Sequence, residues 1–352
     1  MVSGDYGAAV ASPVRRLVAA ATRGPLAGGA AAVLDRAAPR RRGVLTILTY
    51  HRVDDPGARP DLMPSLVSAT PRAFGEQMGM LARAFDVVSL ADVLDALDRP
   101  ERLPRRAVLI TVDDGYRDFM TNAWPVLQAK GMPVTLFVAT AFASDPGRRF
   151  WWDRLWTAVH GTARAEPLVT PLGALPVGSA NAARTVGILR DWLKELDHDD
   201  AMAQVDTIVE ELGEPPPPAS PAVVGWNELR RLAGEGVTLA PHTQNHPLLD
   251  RVPLDRAVAE IRESHADLER EIGSLATIPR VLAYPSGSHG GNAPQAARQA
   301  GMELALTTER GGNDLRTIDR WRVRRINVGG RAGTPLVRAQ LAWAGAIDAR
   351  RR

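Results

Sequence analysis

Two adjacent carboxylates, Asp113 and Asp114, stand in the stretch "LITVDDGYRDF" (109–119), where an apolar run stops at a glycine. Like charges on neighbouring residues repel, and a buried carboxylate is costly unless it is paired, hydrogen-bonded or bound to metal. Something positive is therefore expected beside them. A second stretch, "HTQNHP" (242–247), sets two imidazoles four residues apart, a spacing at which both can converge on one ion. Pro247 disfavours helix at the residue before it, which points to a loop at His246. Two histidines and one carboxylate complete a three-ligand site with open positions for water and substrate. One aspartate, taken here as Asp114, then binds the metal while Asp113 stays free as a general base. A carboxylate next to a dication remains ionised, and the ion lowers the pKa of bound water to around 7, so proton abstraction by Asp113 is feasible at neutral pH. Capping of the next helix near Gly115 would explain one of the two carboxylates and leave the second unexplained.

The elements around these residues alternate. "GVLTILTYHRV" reads as a buried strand, and "TPRAFGEQMGMLARAF" as a helix with a Thr cap and Pro in its first turn. "RAVLITV" is a second strand followed by a helix to Gly131, and "PVTLFVAT" is another strand. "GVTLAPH" follows the helix "WNELRRLAGE", "VLAYP" follows a long helix from Asp255 to Ile272, and "ELALTT" follows "NAPQAARQAG". Such alternation implies a parallel sheet or barrel with helices outside, whose site lies at the carboxyl ends of the strands. His51 ends the first strand, Asp113 and Asp114 end another, His242 and His246 follow "VTLAP", and "YPSGSHGG", with Tyr284, Ser286 and His289, follows "VLA". Between residues 148 and 221 the rhythm breaks into "FWWDRLWTAV", two helical segments around Arg184 to Leu212, and "EPPPPASPAVV", an inserted helical cap closed by a stiff proline linker. Trp151, Trp152 and Trp156 either pack that cap on the barrel or stack on a sugar ring, and Asp153 either faces the site or begins a helix.

Composition narrows the chemistry further. The 352 residues contain no cysteine, which excludes disulfides, thiolate zinc ligands and a thiol nucleophile, so a metal must be held by His, Asp or Glu. Residues 1–43 hold seven arginines against Asp5 and Asp35, net +5 of the chain's +3, so the remainder is net −2 and no basic body for nucleic acid is expected. The run Arg40 to Arg42 reads as a solvated linker, with peripheral contact to phosphates or anionic lipid as the alternative. No uncharged apolar run approaches the roughly 18 to 20 residues that cross a bilayer. "GPLAGGAAAVL" (24–34) starts late and is diluted by Gly and Pro, so it reads as a helical leader and not a signal peptide, and a cytoplasmic location is expected. The sequence holds no Walker loop, no G-x-G-x-x-G and no G-x-S-x-G.

These motifs resemble the polysaccharide deacetylase family, the carbohydrate esterases with a NodB homology domain. "TVDDGYRD" resembles that family's T-F-D-D-G motif with Val for Phe, and "HTQNHP" matches its H-S/T-x-x-H motif. The resemblance implies an α/β fold, a distorted (β/α)7 barrel over residues 44–330 with the 148–221 cap inserted, between a basic helical leader (1–43) and a C-terminal helix or tail (331–352). It implies Asp113 as base, and Asp114, His242 and His246 as ligands of one divalent ion, with zinc ahead of cobalt, nickel or manganese. "TYHRV" is similar to the opening of a subgroup in which a first-strand histidine serves as acid, which makes His51 the candidate acid and His289 its competitor.

The chain also departs from the family. Where R-x-x-P-Y is usual, "LAYPSG" has Leu282 in place of the arginine, and Ser286 stands where the oxyanion amide is expected, with Tyr284 and Trp152 as further substrate contacts. Arg325, in "RRINV", either orients Asp113 or forms a surface salt bridge. No histidine follows His289, so the family's late acid motif is missing; His160, His198 and His265 have no partner pattern and are expected to be structural or exposed. The activity implied is metal-dependent N-deacetylation of an amino sugar or glycan. The alternatives are a decayed carbohydrate-binding barrel and an amide hydrolase of the same family with a non-sugar substrate.

Overall fold

In the computed structural model, which describes residues 27–37, 42–213 and 222–347, seven parallel strands form a nearly closed barrel. In chain order they are β1 (Val44–Tyr50), β2 (Ala107–Val112), β3 (Thr135–Val138), β4 (Thr238–Pro241), β5 (Val281–Ala283), β6 (Leu304–Arg310) and β7 (Val323–Asn327). Their order around the barrel is β5-β6-β7-β1-β2-β3-β4. The central pair is in continuous register, from Leu45 opposite Ala107 to Tyr50 opposite Val112. These strands are apolar on both faces because both are covered, which is why they read as runs and not as alternation.

Strand parity nevertheless separates two cores. Leu45, Ile47, Ala107, Leu109, Phe137, Ala240, Val281, Ala283, Leu304, Leu306 and Val323 pack together inside the barrel. Leu48, Tyr50, Val108, Ile110, Val112, Leu136, Leu239 and Ile326 face outward under the helices. The helix predicted after β1 is Pro71–Ala84, with Thr70 Oγ1 accepting from Ala73 N at 3.2 Å and Pro71 in the first turn. It buries Phe74, Met78 and Leu81 against the outer face, where Tyr50 donates to Gln77 at 2.9 Å.

The helix expected after β2 is present over residues 117–128, with a π-helical stretch at Phe119–Ala123 that passes directly into the α-helical Trp124–Gln128, and the chain turns at 129–131. Pro125 lacks the N–H that a regular α-helix would use there, and the ladder widens to π spacing just before it. Buried Asp118 accepts from Arg52 Nε and Val53 N, both at 2.8 Å, tying the exit of β1 to the exit of β2.

The cap is built from α1 (Trp151–Gly161), α2 (Ala182–Leu193) and α3 (His198–Leu212), with a two-stranded hairpin of Leu168–Thr170 and Gly173–Leu175. It has its own core, including Leu155, Val159, Leu189, Val205 and Ile208. The proline linker before Ala222 and the leader before Ala27 lie outside the described residues, as do Arg40 and Arg41. Arg42 is described, and donates to Glu101 O at 3.3 Å. The end of the leader is a helix, Ala27–Ala37, beside the C-terminal helix Thr334–Ile347. Its buried Asp35 pairs with Arg106 and with Arg338, the latter at 2.9 Å. No described helix is long and apolar enough to cross a membrane.

Breaking a buried ion pair by removing one partner leaves an uncompensated charge. Asp118→Ala is therefore expected to cost about 3 kcal/mol or more of unfolding free energy, read from urea titration. A change below 1 kcal/mol would show that the Arg52–Asp118 tie is not structural.

Candidate active site

The inward parity of the strands, continued past their ends, supplies the site. On β2 the inward set Ala107, Leu109 and Thr111 leads to Asp113; on β1, Ile47 and Thr49 lead to His51; on β4, Ala240 leads to His242. On β7, Val323 is followed by Arg325, and on β6, Leu306 by Thr308. The barrel is filled by apolar side chains below and becomes polar only at its mouth. There a cleft of about 210 Å³ is bordered by His51, Asp113, Asp114, His242, His246 and Ser286, among others.

Asp114, His242 and His246 each offer one ligand atom, all within 4.8 Å of one another and all buried. His242 Nε2 lies 3.4 Å and His246 Nε2 3.5 Å from Asp114 Oδ1. His242 Nδ1 is 2.7 Å from Ala283 O, and since a carbonyl only accepts, that nitrogen carries the hydrogen. Nε2 of the neutral ring is then left with its lone pair toward Asp114, the arrangement a metal-binding imidazole needs. Burial lowers the pKa of His246 and favours its neutral form. Burial also opposes charge on His242, but the hydrogen bond and charge of Asp114 outweigh it and raise that pKa. Asp114 is held below the ordinary carboxylate range, burial being overcome by the two imidazoles. Two imidazoles and a carboxylate, buried together with their ligand atoms converging, are a donor set that fits a divalent ion.

Asp113 is neutralised differently. Arg325, fully buried, donates from both terminal nitrogens to the two carboxylate oxygens, each at 2.8 Å. Its Nε donates to Thr307 O at 2.8 Å, so the guanidinium is fixed before it meets the carboxylate. Burial pushes the Asp113 carboxyl up, but Arg325 and the nearby histidines outweigh it and leave the group below its ordinary value. Of the two roles open for Arg325 in the sequence, the geometry realises the buried pairing and not a surface salt bridge. His51 is the histidine beside this pair, with Nε2 4.0 Å from Asp113 Oδ2 and a side chain 19% exposed.

Four described non-glycine residues have positive φ: Asp114 (74°), Thr243 (65°), His246 (59°) and Ser286 (55°). All four lie at this site, two of them ligand candidates. Left-handed backbone at such residues is unfavourable and persists only where the surroundings impose it. Buried Glu260, on the helix Leu254–Ile272, imposes it on the histidine loop by accepting from Gln244 N at 3.0 Å and Asn245 N at 2.7 Å. Gly287, with φ of 70°, lets the Ser286 turn lie on β6, since a Cβ there would meet Thr308 Oγ1 at 2.1 Å.

Three sequence-stated candidates are placed elsewhere or otherwise employed. Tyr284 shares the outward parity of Leu282 and is buried with Leu249, Ala293 and Ala297, so it is not a substrate contact. Leu282, at the position of the family arginine, faces the same way. Trp152 borders the cleft, but it stacks on Phe150 at 4.5 Å and its indole N–H donates to Tyr116 Oη at 2.8 Å, so packing is its main role. Trp151 is the half-buried indole on the cleft. His289 is engaged by Gly287 O at 2.9 Å and Glu309 at 3.1 Å and does not line the cleft. His160 and His265 are likewise absent from it, as is His198.

Asp118 and Glu260 escaped the sequence reading because a lone carboxylate on a helical segment looks like a surface charge. Asp153 escaped assignment because it starts α1 as readily as it faces inward. It is buried, accepts from Tyr116 Oη at 2.7 Å, and burial pushes its carboxyl up to about 6.

Residues 101–305 match the sequence pattern of the polysaccharide deacetylase family, and the protein belongs to that family. A 100-residue segment is 34% identical to the poly-beta-1,6-N-acetyl-D-glucosamine N-deacetylase of Escherichia coli K12; it is 28% of this chain and only 14% of that protein. Among solved structures, the Streptococcus pyogenes deacetylase PplD in complex with acetate superposes with a TM-score of 0.57 at 18% identity, covering 86% of this chain and 99% of that one. The de-N-acetylase from Aggregatibacter actinomycetemcomitans gives 0.55 at 18% identity, over 84% and 99% of the two chains. At such identities the likeness is one of fold, and it is the same barrel.

Two outcomes test the electrostatics. Arg325→Met and Asp113→Asn are each expected to destabilise the metal-free protein by about 3–5 kcal/mol in urea unfolding, and the double variant by less than either, because it buries no lone charge. Additive losses would refute the pairing. Asp153 is protonated in the fold up to about pH 6, whereas the unfolded chain ionises it near 4. The stability this gives is complete below about pH 4 and is lost, by up to about 3 kcal/mol, as pH rises to about 6. Asp153→Asn is expected to flatten that window; an unchanged profile would remove Asp153 as its source.

Proposed function

We propose that this protein hydrolyses the N-acetyl group of an amino sugar, free or within a glycan, releasing acetate and a free amine. The observation that carries this reading is the meeting, in one cleft, of a two-histidine, one-aspartate cluster with a second, ionised aspartate clamped by arginine. Membership of the polysaccharide deacetylase family supports the same reaction. Asp114, His242 and His246 would hold a divalent ion, with zinc the best match to two imidazoles and a carboxylate. When bound, such an ion polarises a carbonyl and lowers the pKa of water to around 7.

The remaining chemistry falls to the chain's own groups. Asp113 accepts a proton from the attacking water as the water oxygen bonds to the acetyl carbon. Arg325 keeps that carboxylate ionised at neutral pH and fixes its plane. The backbone N–H of Ser286 would meet the developing oxyanion, a role supported by its left-handed turn at the border of the cleft. His51 gives a proton to the nitrogen as the C–N bond breaks, so the amine leaves neutral. Trp151 offers an indole face for the sugar ring.

Asp113→Asn and His51→Gln are each expected to lower kcat for acetate release from N-acetylated oligosaccharides by roughly a hundredfold to ten-thousandfold. Elemental analysis of the same zinc-reconstituted preparations should find the ion retained in both and lost in His242→Ala. Full turnover in Asp113→Asn would remove it as the base, and a wild type that holds no ion would overturn the metal-dependent reading.

A further inference from the structure

The cap contributes two cations to the cleft that the reaction does not use. Arg190 and Lys194 are four residues apart at the end of α2, so they project from one face, and both border the cleft that holds Asp113, Asp114, His242 and His246. The guanidinium of Arg190 donates to Ser65 Oγ at 3.3 Å, and neither it nor the Lys194 ammonium has a carboxylate within ion-pair distance among the described residues. Other arginines of the cap region are paired, Arg154 with Asp206 and Arg164 with Glu211. Asp191, between the two in sequence, is exposed; its charge partly offsets theirs, but it forms no ion pair with either. Asp113 is already matched by Arg325, and Asp114 by the imidazoles and the ion they would hold. Neither aspartate therefore needs Arg190 or Lys194 for neutralisation.

Two half-buried, mutually repelling cations without an ion-pair partner are costly. Burial and then Arg190 push Lys194 down to about 8, and burial lowers Arg190 as well. Such an arrangement persists where an anion completes it. We propose that Arg190 and Lys194 form an anion subsite, and that the substrate is an acetamido sugar carrying a phosphate ester or a carboxylate close to the N-acetyl group. This rests on the deacetylase reading for the word substrate, but the subsite itself can be tested without turnover.

The test is calorimetric binding to the zinc-loaded full chain of three probes: N-acetylglucosamine 1-phosphate, 2-acetamido-2-deoxyglucuronate and neutral di-N-acetylchitobiose. At least about tenfold tighter binding of one or both anionic sugars is expected, the phosphate and carboxylate arms identifying the source of charge. Arg190→Gln with Lys194→Gln should abolish that preference, and Lys194→Arg should keep it, each variant being checked for an unchanged melting curve. Equal affinity for all three probes, or a preference that survives in the double Gln variant because the ion alone holds the anion, would overturn the proposal. Acetate release is scored separately: anion preference in binding without acetate from any probe would count against the deacetylase reading and leave the subsite standing.

Discussion

The clamp of Arg325 on Asp113 is the constraint around which the mouth of the barrel is arranged. It runs from β7 to β2, across the intervening β1, inside a barrel whose lower half is apolar. A carboxylate at that depth is tolerated only with a positive partner, and a guanidinium at that depth only if its own donors are used. Both conditions are met at once, because Nε is taken by Thr307 O on β6 and the two terminal nitrogens by Asp113. Three strands are thus fixed relative to one another by charge-assisted bonds at the height where apolar packing ends. The adjacent Asp114 is turned away from this clamp by its left-handed backbone, toward the two histidines. Neighbouring carboxylates that would repel one another are given separate counter-charges by a single backbone reversal.

The second fixed point lies at the seam. The two edge strands of the barrel, β4 and β5, do not pair with each other along their lengths. His242 follows β4, Ala283 ends β5, and the 2.7 Å contact between the imidazole Nδ1 and the Ala283 carbonyl bridges the gap. One bond therefore both sets the tautomer of a candidate ligand and joins the edges of the barrel. His246 has no comparable partner on Nδ1. Its ring is held instead by edge contacts, with Trp152 at 4.9 Å, Phe150 at 5.5 Å and His242 at 4.7 Å. One of the two candidate ligand imidazoles is oriented by a hydrogen bond and the other by aromatic walls.

Much of this was legible in the chain, and the exceptions have physical causes. The Asp113–Asp114 pair stood out because adjacent carboxylates need a counter-charge, and the His242–His246 spacing because it suits convergence on one ion. The barrel followed from repeated strand and helix alternation. Arg325 stayed ambiguous because an arginine in a strand looks the same whether it points in or out. Parity counted from Val323 would have decided it, and the same count from Val281 and Ala283 would have sent Tyr284 outward with Leu282. Glu260 had no such signal. It sits in a long charged helix, and only the tertiary fold brings it to the amides of Gln244 and Asn245.

The separation of the cap's core from the two cores of the barrel bears on how the site is divided. The cap packs on its own leucines and valines, apart from the barrel interior and from the layer beneath the barrel helices. Between cap and barrel, a smaller cluster of Tyr116, Phe142, Phe150 and Trp152 makes the join, and it ends against His246. Substitutions on α2 that face the cleft therefore change what the site presents to a ligand without disturbing the packing of the strands that carry Asp113 and His242. Substitutions in the aromatic join act differently, because they reach a metal-ligand candidate directly. The candidate base and ligand positions are thereby carried by the barrel and its seam, and Arg190 and Lys194 by a cap helix whose core is separate from the barrel interior.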